Sequence, residues 1–233
     1  MAPTVILIRH AEALHNYTTP DPPLTENGLD IECSELSQYL LNHVPLSHHV
    51  ELIVTSPLQR TLQTTQHALD FLIKRGIKVI PLAEVQETTT NAIDKGSPLP
   101  SLKERWPDYD WSELDPIFPE KEGIYEFSER ALLERGAWAR KWLASRPEKV
   151  IAVVSHAGFM RIGLGNCRYG NADYRIFDLD DRSDSVDKGP VFVEKESTRS
   201  SGGGRGKART GSLAGSCMIS STCLAIRGKR QRN

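Results

Sequence analysis

A chain of 233 residues with a formal net charge of −1, 39% hydrophobic and 25% charged, can bury a full core. It carries no overall field to attract nucleic acid or an anionic membrane. It has no apolar run of bilayer-spanning length, and its four cysteines, Cys33, Cys167, Cys217 and Cys223, show no CxxC spacing. That excludes an obvious disulfide framework or zinc site and points to a reducing compartment. The N-terminus enters an apolar run without the basic and apolar regions of a secretion signal, so cytoplasm is the expected location.

In chain order, Val5–Ile8 reads as a buried strand, because a short aliphatic run bounded by polar residues suits a parallel sheet. A loop rich in proline (Pro20, Pro22, Pro23) leads to Leu24-Thr25-Glu26-Asn27-Gly28. Leu29–Leu41 has apolar residues at helical spacing. Glu51–Thr55 reads as a strand, and Pro57 suits the first turn of a helix over Leu58–Lys74. Ile77–Pro81 is a third strand. The irregular stretch Glu84–Gly123 holds many of the aromatic residues and reads as a lid or a substrate wall, suited to an organic leaving group of some size. A helix over Glu126–Ala144, a strand over Lys149–Ser155, a short helix over Gly158–Leu164 and a closing strand over Tyr174–Leu179 complete the pattern. Strands separated by helices predict an α/β fold, with a largely parallel sheet covered on both faces.

From Ser197 onward the chain has no acidic residue, and it is rich in glycine, serine, arginine and lysine. Such a stretch buries too little apolar surface to order itself. The expected division is therefore a catalytic domain over 1–182 and a basic, disordered tail over 183–233. A chain ending near Asp181 is then expected to keep its turnover. Arg227–Arg232 offers a basic patch that could direct nuclear import, although a solvated tail without a role is the simpler reading.

The chemistry gathers at strand ends, where open α/β sheets bind ligands. Arg9 and His10 follow the first strand. Thr55-Ser56 and Arg60 follow the second, Glu84 and Glu87 the third, and His156 the Lys149–Ser155 strand. Two arginines and two histidines converging on one crevice form a forked cationic donor set that fits phosphoryl oxygens. With no HxH, HExxH or clustered-carboxylate spacing to hold a metal, the side chains themselves must neutralise charge. A neutral imidazole can then serve as nucleophile, and a carboxylic acid must protonate the leaving oxygen.

These residues resemble, in order, the signatures of the histidine phosphatase superfamily, the phosphoglycerate-mutase-like proteins, in a fungal and plant-like branch. Arg9-His10-Ala11 is similar to Arg-His-Gly, with Asn16 in the position of the motif's asparagine. Leu24-Thr25-Glu26-Asn27-Gly28 is similar to the Leu-Ser/Thr-x-x-Gly element. Ser56-Pro57-Leu58-Gln59-Arg60 with Thr64 is similar to the helix start that follows, and Ser155-His156-Ala157-Gly158 to Ser-His-Gly-Gly. The resemblance spans roughly residues 4–180. Ala11 and Ala157 stand where the family carries glycine, and His15 stands where its mutases carry tryptophan.

The resemblance implies a three-layer α/β/α sandwich with a mostly parallel central sheet. It implies a metal-independent phosphatase hydrolysing a small-molecule phosphomonoester through a phosphohistidine, without a cofactor. His10 would be the nucleophile. Arg9, Arg60 and His156 would bind the phosphoryl oxygens, with Asn16 as a further donor and Thr25 at the substrate. The general acid is Glu84 or Glu87, and Val85-Gln86-Glu87 favours Glu87. The alternatives are a cofactor-dependent phosphoglycerate-type mutase and a catalytically impaired phosphate-binding module. The expected partner is a phosphorylated small molecule, with neither membrane nor nucleic acid. Oligomeric state is not legible at this level.

Overall fold

The computed structural model describes residues 2–14, 19–180 and 189–207. Its strands are β1 (Thr4–Arg9), β2 (Leu52–Thr55), β3 (Val79–Pro81), β4 (Val150–Ser155), β5 (Tyr174–Asp180) and β6 (Val191–Glu194). They form one sheet in the order β3-β2-β4-β1-β5-β6. The first four are mutually parallel, whereas β5 and β6 pair antiparallel to their neighbours. The expected mixed α/β architecture, with a mostly parallel sheet, is what the chain adopts.

Alternation along each strand divides the core in two. Ile6 and Ile8 join Ile53, Ala152, Val154 and Ile176 on one face. Val5 and Leu7 join Leu52, Val54, Ile151, Val153 and Phe177 on the other. Helices α1 (Cys33–His43) and α2 (Gln59–Ala68) cover the first face through Leu36, Leu40 and Leu62. The long helix α5 (Glu129–Ser145) covers the second through Ala139 and Leu143. β1 and β4, buried on both faces, are therefore nearly uninterrupted aliphatic runs. The chain passes from β1 through α1 to β2 on one face and from β3 through α5 back to β4 on the other. β4 thereby inserts between β1 and β2, and ligand crevices form where such winding reverses.

Two helices differ from the periodic reading. The Leu29 helix opens with a π-helical turn, Asn27–Glu32, before α1. The Leu58 helix breaks at Leu69, whose φ of −111° and ψ of 16° leave the helical region, and resumes as α3 (Asp70–Ile73).

The Glu84–Gly123 stretch is not an aromatic substrate wall. Trp106, Tyr109, Trp111 and Phe118 are buried in the core that also holds Leu62 and Leu102. Trp106 Nε1 donates to Gln66 on α2 at 3.0 Å, and α4 (Leu99–Arg105) leads into it. Aromatic residues without periodicity served here to pack a loop against the sheet, so they say nothing of a bulky leaving group.

The sheet also extends beyond the boundary expected at residue 182. β6 pairs with β5, making β6 the edge instead of Tyr174–Leu179. Phe192 is buried against Phe177, ring centroids 5.4 Å apart. After a short helix, Glu196–Arg199, residues 203–207 dock on the buried carboxylate of Asp173. Its Oδ1 accepts from the Arg205 N–H at 2.9 Å, and its Oδ2 from the Lys207 N–H at 3.1 Å. Only glycine fits at position 203, where φ is +113° and a Cβ would lie 2.3 Å from Asp173 Oδ2. Composition misled here because order comes from hydrogen bonds to one buried carboxylate rather than from apolar area. Residues 183–188 and 208–233 of the expected tail lie outside the described residues.

Two stability predictions follow from this docking. A chain ending at Asp181 should melt well below the full-length protein in a thermal denaturation scan, contrary to a dispensable tail. The single change Phe192→Ala should cost about 2–3 kcal/mol in urea titrations, the scale for a large buried apolar side chain.

Candidate active site

β1 and β4 are paired in register, Arg9 opposite Ser155. The residues that follow, His10 and His156, therefore leave the sheet side by side. The His10 N–H donates to the Ser155 carbonyl at 3.1 Å. The two imidazole rings lie 5.1 Å apart, tilted by 58°, and both are buried.

The tautomer of His10 follows from its contact. Nδ1 lies 2.7 Å from the Ala11 carbonyl oxygen, which only accepts, so Nδ1 carries a proton. The next residue is anchored as well: the Ala11 N–H donates to Thr64 Oγ1 at 3.0 Å, and that hydroxyl donates to the Arg60 carbonyl at 2.7 Å. Thr64 thus joins the loop after β1 to the first turns of α2.

His156 is fully buried, with Nε2 2.8 Å from the Ser56 hydroxyl. Burial, reinforced by Arg60 and His10, pushes its pKa well below the ordinary histidine range, so the ring is neutral.

The two arginines are held differently. Arg9 donates from Nη1 to the Tyr169 carbonyl at 3.0 Å, and burial lowers its pKa against the attraction of Glu87 and Glu32. Arg60 donates to the Ile93 carbonyl at 2.7 Å and to Asp94 Oδ1 at 2.9 Å, a buried ion pair. Asp94 Oδ2 accepts in turn from Thr89 at 2.5 Å. Burial and the nearby Glu87 raise the Asp94 carboxyl above its usual range. Three nitrogens in this group, Arg9 Nε, Arg60 Nε and His156 Nδ1, are buried without a hydrogen-bond partner. Such groups are expensive to leave unmet and mark a place where an acceptor belongs.

The structure separates the two candidate acids. Glu87 Oε1 accepts from Phe159 N–H at 3.0 Å and Thr88 N–H at 2.9 Å, and its Oε2 accepts from Gly158 N–H at 3.3 Å. Its carboxylate is thereby tied to the turn that follows His156. A Cβ at Gly158 would lie 2.3 Å from Glu87 Oε1, so glycine is what lets the carboxylate approach. Glu84 is buried elsewhere, its Oε1 2.9 Å from the Tyr125 hydroxyl, and burial raises its pKa. None of its hydrogen bonds joins it to the two histidines or arginines.

Thr25 turns its hydroxyl to Glu12 Oε1 at 2.7 Å and accepts from the Gly28 N–H at 3.0 Å. It braces the loop after β1, and none of its hydrogen bonds reaches the paired imidazoles. Asn16 lies outside the described residues, as does His15. Among the described residues, no group of three His, Cys, Asp or Glu side chains is disposed to hold a metal ion. No helix among them is long and apolar enough to cross a membrane.

Sequence reasoning missed Asp94, Lys121 and Arg135. Lys121 donates from Nζ to Gln86 Oε1 at 2.6 Å and to the Glu87 carbonyl at 3.1 Å. Burial, reinforced by Arg135, pushes its ammonium down to about 7 against the pull of Asp94 and Glu87. Arg135, fully buried on α5, donates to the Gln86 carbonyl at 3.2 Å and lies 4.5 Å from the Phe159 ring centroid. Arg135 alone left a signal, as a charge on the apolar face of a helix. The other two stand in aperiodic loops.

The model of the histidine phosphatase superfamily (branch 1) matches residues 5–185. The chain belongs to this superfamily. A probable phosphatase of Schizosaccharomyces pombe is 31% identical over 170 residues, 68% of this chain and 76% of the relative. A phosphoglycerate mutase-like protein of Arabidopsis thaliana is 28% identical over 194 residues, covering 67% and 72%. Among solved structures, Bacillus stearothermophilus YhfR superposes with a TM-score of 0.52 at 19% identity, covering 83% of this chain and 95% of that one. An ecdysone phosphate phosphatase from Bombix mori, in complex with tungstate, gives a TM-score of 0.53 at 14% identity, covering 83% and 92%. The solved structures share the fold, and membership of the superfamily supports a general phosphatase or mutase activity.

The buried neutral His156 makes stability depend on pH. An unfolded histidine takes a proton near pH 6.5, and the folded one does so only at lower pH, so stability is lost as pH falls through about 6.5. His156→Asn should flatten the dependence of unfolding free energy on pH between about 7 and 5 by up to about one proton. Urea titrations across that range read the slope.

Proposed function

We propose that this superfamily member is a metal-independent phosphatase that hydrolyses small phosphomonoesters through a phosphohistidine on His10 Nε2. The observation that carries the reading is the His10 tautomer. Its Nδ1–H is spent on the Ala11 carbonyl, so in the neutral ring, packed against His156, Nε2 is the nitrogen that can attack phosphorus. The unmatched nitrogens of Arg9, Arg60 and His156 supply donors for the phosphoryl oxygens. A phosphoryl dianion among them would also draw a proton onto His156.

In the first step His10 Nε2 attacks phosphorus and the ester P–O bond breaks. The leaving oxygen takes a proton from the Glu87 carboxylic acid. In the second step Glu87, now a carboxylate, removes a proton from water as the water oxygen attacks phosphorus. The P–N bond breaks, inorganic phosphate departs and His10 is restored. The three backbone donors around Glu87, two of them from Gly158 and Phe159, keep the resting carboxylate beside the turn that His156 starts, so the proton it passes to the leaving oxygen is one taken up as the substrate dianion binds. The likeness to the phosphoglycerate mutase-like protein of Arabidopsis keeps a mutase as the second reading. A mutase would pass the phosphoryl group from His10 to a second hydroxyl instead of to water.

The deciding assay uses p-nitrophenyl phosphate with a chelator present. The full chain should turn over, and His10→Ala should lose about 10³-fold or more in kcat. Turnover that persists in His10→Ala, or that the chelator abolishes, would falsify the reading. Phosphate binding without turnover in the wild type would instead leave a binding module. Adding a bisphosphorylated primer and a monophosphorylated acceptor should give inorganic phosphate rather than an isomerised acceptor.

A further inference from the structure

We propose that Lys121 is a positioning residue for the general acid: it anchors the backbone of Glu87, so that the carboxyl group is placed to protonate the leaving oxygen. The inference rests on the assignment of Glu87 as that acid and adds a residue from a different part of the chain.

Lys121 lies in the loop after Pro119, far in sequence from every motif of the site. Lys121 is half-buried, its ammonium feels the charges of Arg135, Asp94, Glu87 and Arg60, and both of its hydrogen-bond acceptors are neutral oxygens. One is Gln86 Oε1 at 2.6 Å and the other is the Glu87 carbonyl at 3.1 Å. Burying an ammonium is costly, and a methionine of similar length would avoid that cost. A lysine here therefore asks for a role beyond filling space. Its contacts say what it holds, which is the Gln86–Glu87 segment.

That segment is gripped at three points. Arg135 donates to the Gln86 carbonyl at 3.2 Å, Lys121 to the Glu87 carbonyl, and the Gly158 and Phe159 N–H groups to the Glu87 carboxylate. The first two fix the backbone, and the last fixes the side chain. The Gln86 side chain is fully buried with its Nε2 unpartnered, so among the described residues Lys121 provides its one hydrogen bond. Without Lys121 the Glu87 carbonyl loses its donor, and the backbone carrying the acid is free to shift. A displacement of about 1 Å at a reacting group is enough to cost on the order of 10²-fold in rate.

Leaving-group dependence tests this, because only some leaving groups need the proton. p-Nitrophenolate departs readily unprotonated, whereas the alkoxide of glycerol 2-phosphate must be protonated. Lys121→Met should lower kcat for glycerol 2-phosphate at least about 10-fold more than for p-nitrophenyl phosphate, with KM values changed by less than about 2-fold. Lys121→Arg, which restores a donor, should recover part of the difference. In a Glu87→Gln background Lys121→Met should add little further loss on the alkyl ester.

Equal losses on both esters would overturn the proposal as a merely structural effect. A rise in KM on both would overturn it in favour of substrate binding. If Glu87→Gln shows no leaving-group dependence, the acid assignment fails and the positioning role with it. If Glu87→Gln shows it and Lys121→Met does not, the positioning role alone fails. Should Lys121→Met unfold at the assay temperature, Gln86→Met removes part of the same anchor and is read in the same way.

Discussion

Everything at the candidate site hangs on the parallel pairing of β1 with β4. That pairing is specified by two aliphatic runs that share both faces of the sheet and cannot slip by one residue without turning their core faces over. With Arg9 opposite Ser155, both histidines emerge at one level, and the His10 N–H is bonded to the strand that delivers His156. β2, on the far side of β4, brings Ser56 against the second imidazole and α2 with Arg60 behind it. The site is therefore built on a rigid platform. Its loops contribute Glu87 and the partners of the arginines.

Burial governs the electrostatics. Four basic side chains, Arg9, Arg60, Lys121 and Arg135, gather about Glu87 and Asp94, fully buried at Arg135 and half-buried at Arg9 and Lys121. Loss of hydration, reinforced at Arg9, Lys121 and His156 by neighbouring cations, lowers the pKa values of Arg9, Lys121 and Arg135 and keeps His156 neutral. Such a site favours an arriving dianion because its donors are already placed and partly stripped of water. Asp94 moderates this by holding Arg60 through one nitrogen and leaving another unmatched. The guanidinium is oriented without being fully consumed.

The sequence made the platform readable, because strand ends are marked by aliphatic runs and polar residues that follow them directly. Val5–Ile8 before Arg9-His10, and Val150–Val154 before Ser155-His156, placed the histidines within a residue of where they lie. The resemblance to known motifs supplied roles that spacing alone could not. What stayed illegible depends on contacts between distant loops. Asp94 and Lys121 have no periodicity and no neighbouring motif, and only folding brings them to Arg60 and Glu87. Thr25 matched a motif, yet its hydroxyl serves Glu12. The Gly-rich stretch near residue 203 looked incapable of order because its partner, Asp173, sits in another element and binds it through backbone groups that composition does not count.

The docking of residues 203–207 on Asp173 also sets an order of events during synthesis. β1, which leads into His10, finds its neighbours only in β4 and β5, far along the chain, and the carboxylate beside β5 is capped by residues made later still. Contacts so remote along the chain make folding slow, and they cannot form until nearly the whole described chain is free. His10 is therefore made long before the residues that surround it in the fold. A chain that stops before β4 carries His10 without His156 beside it, so the paired imidazoles exist only once the sheet has closed.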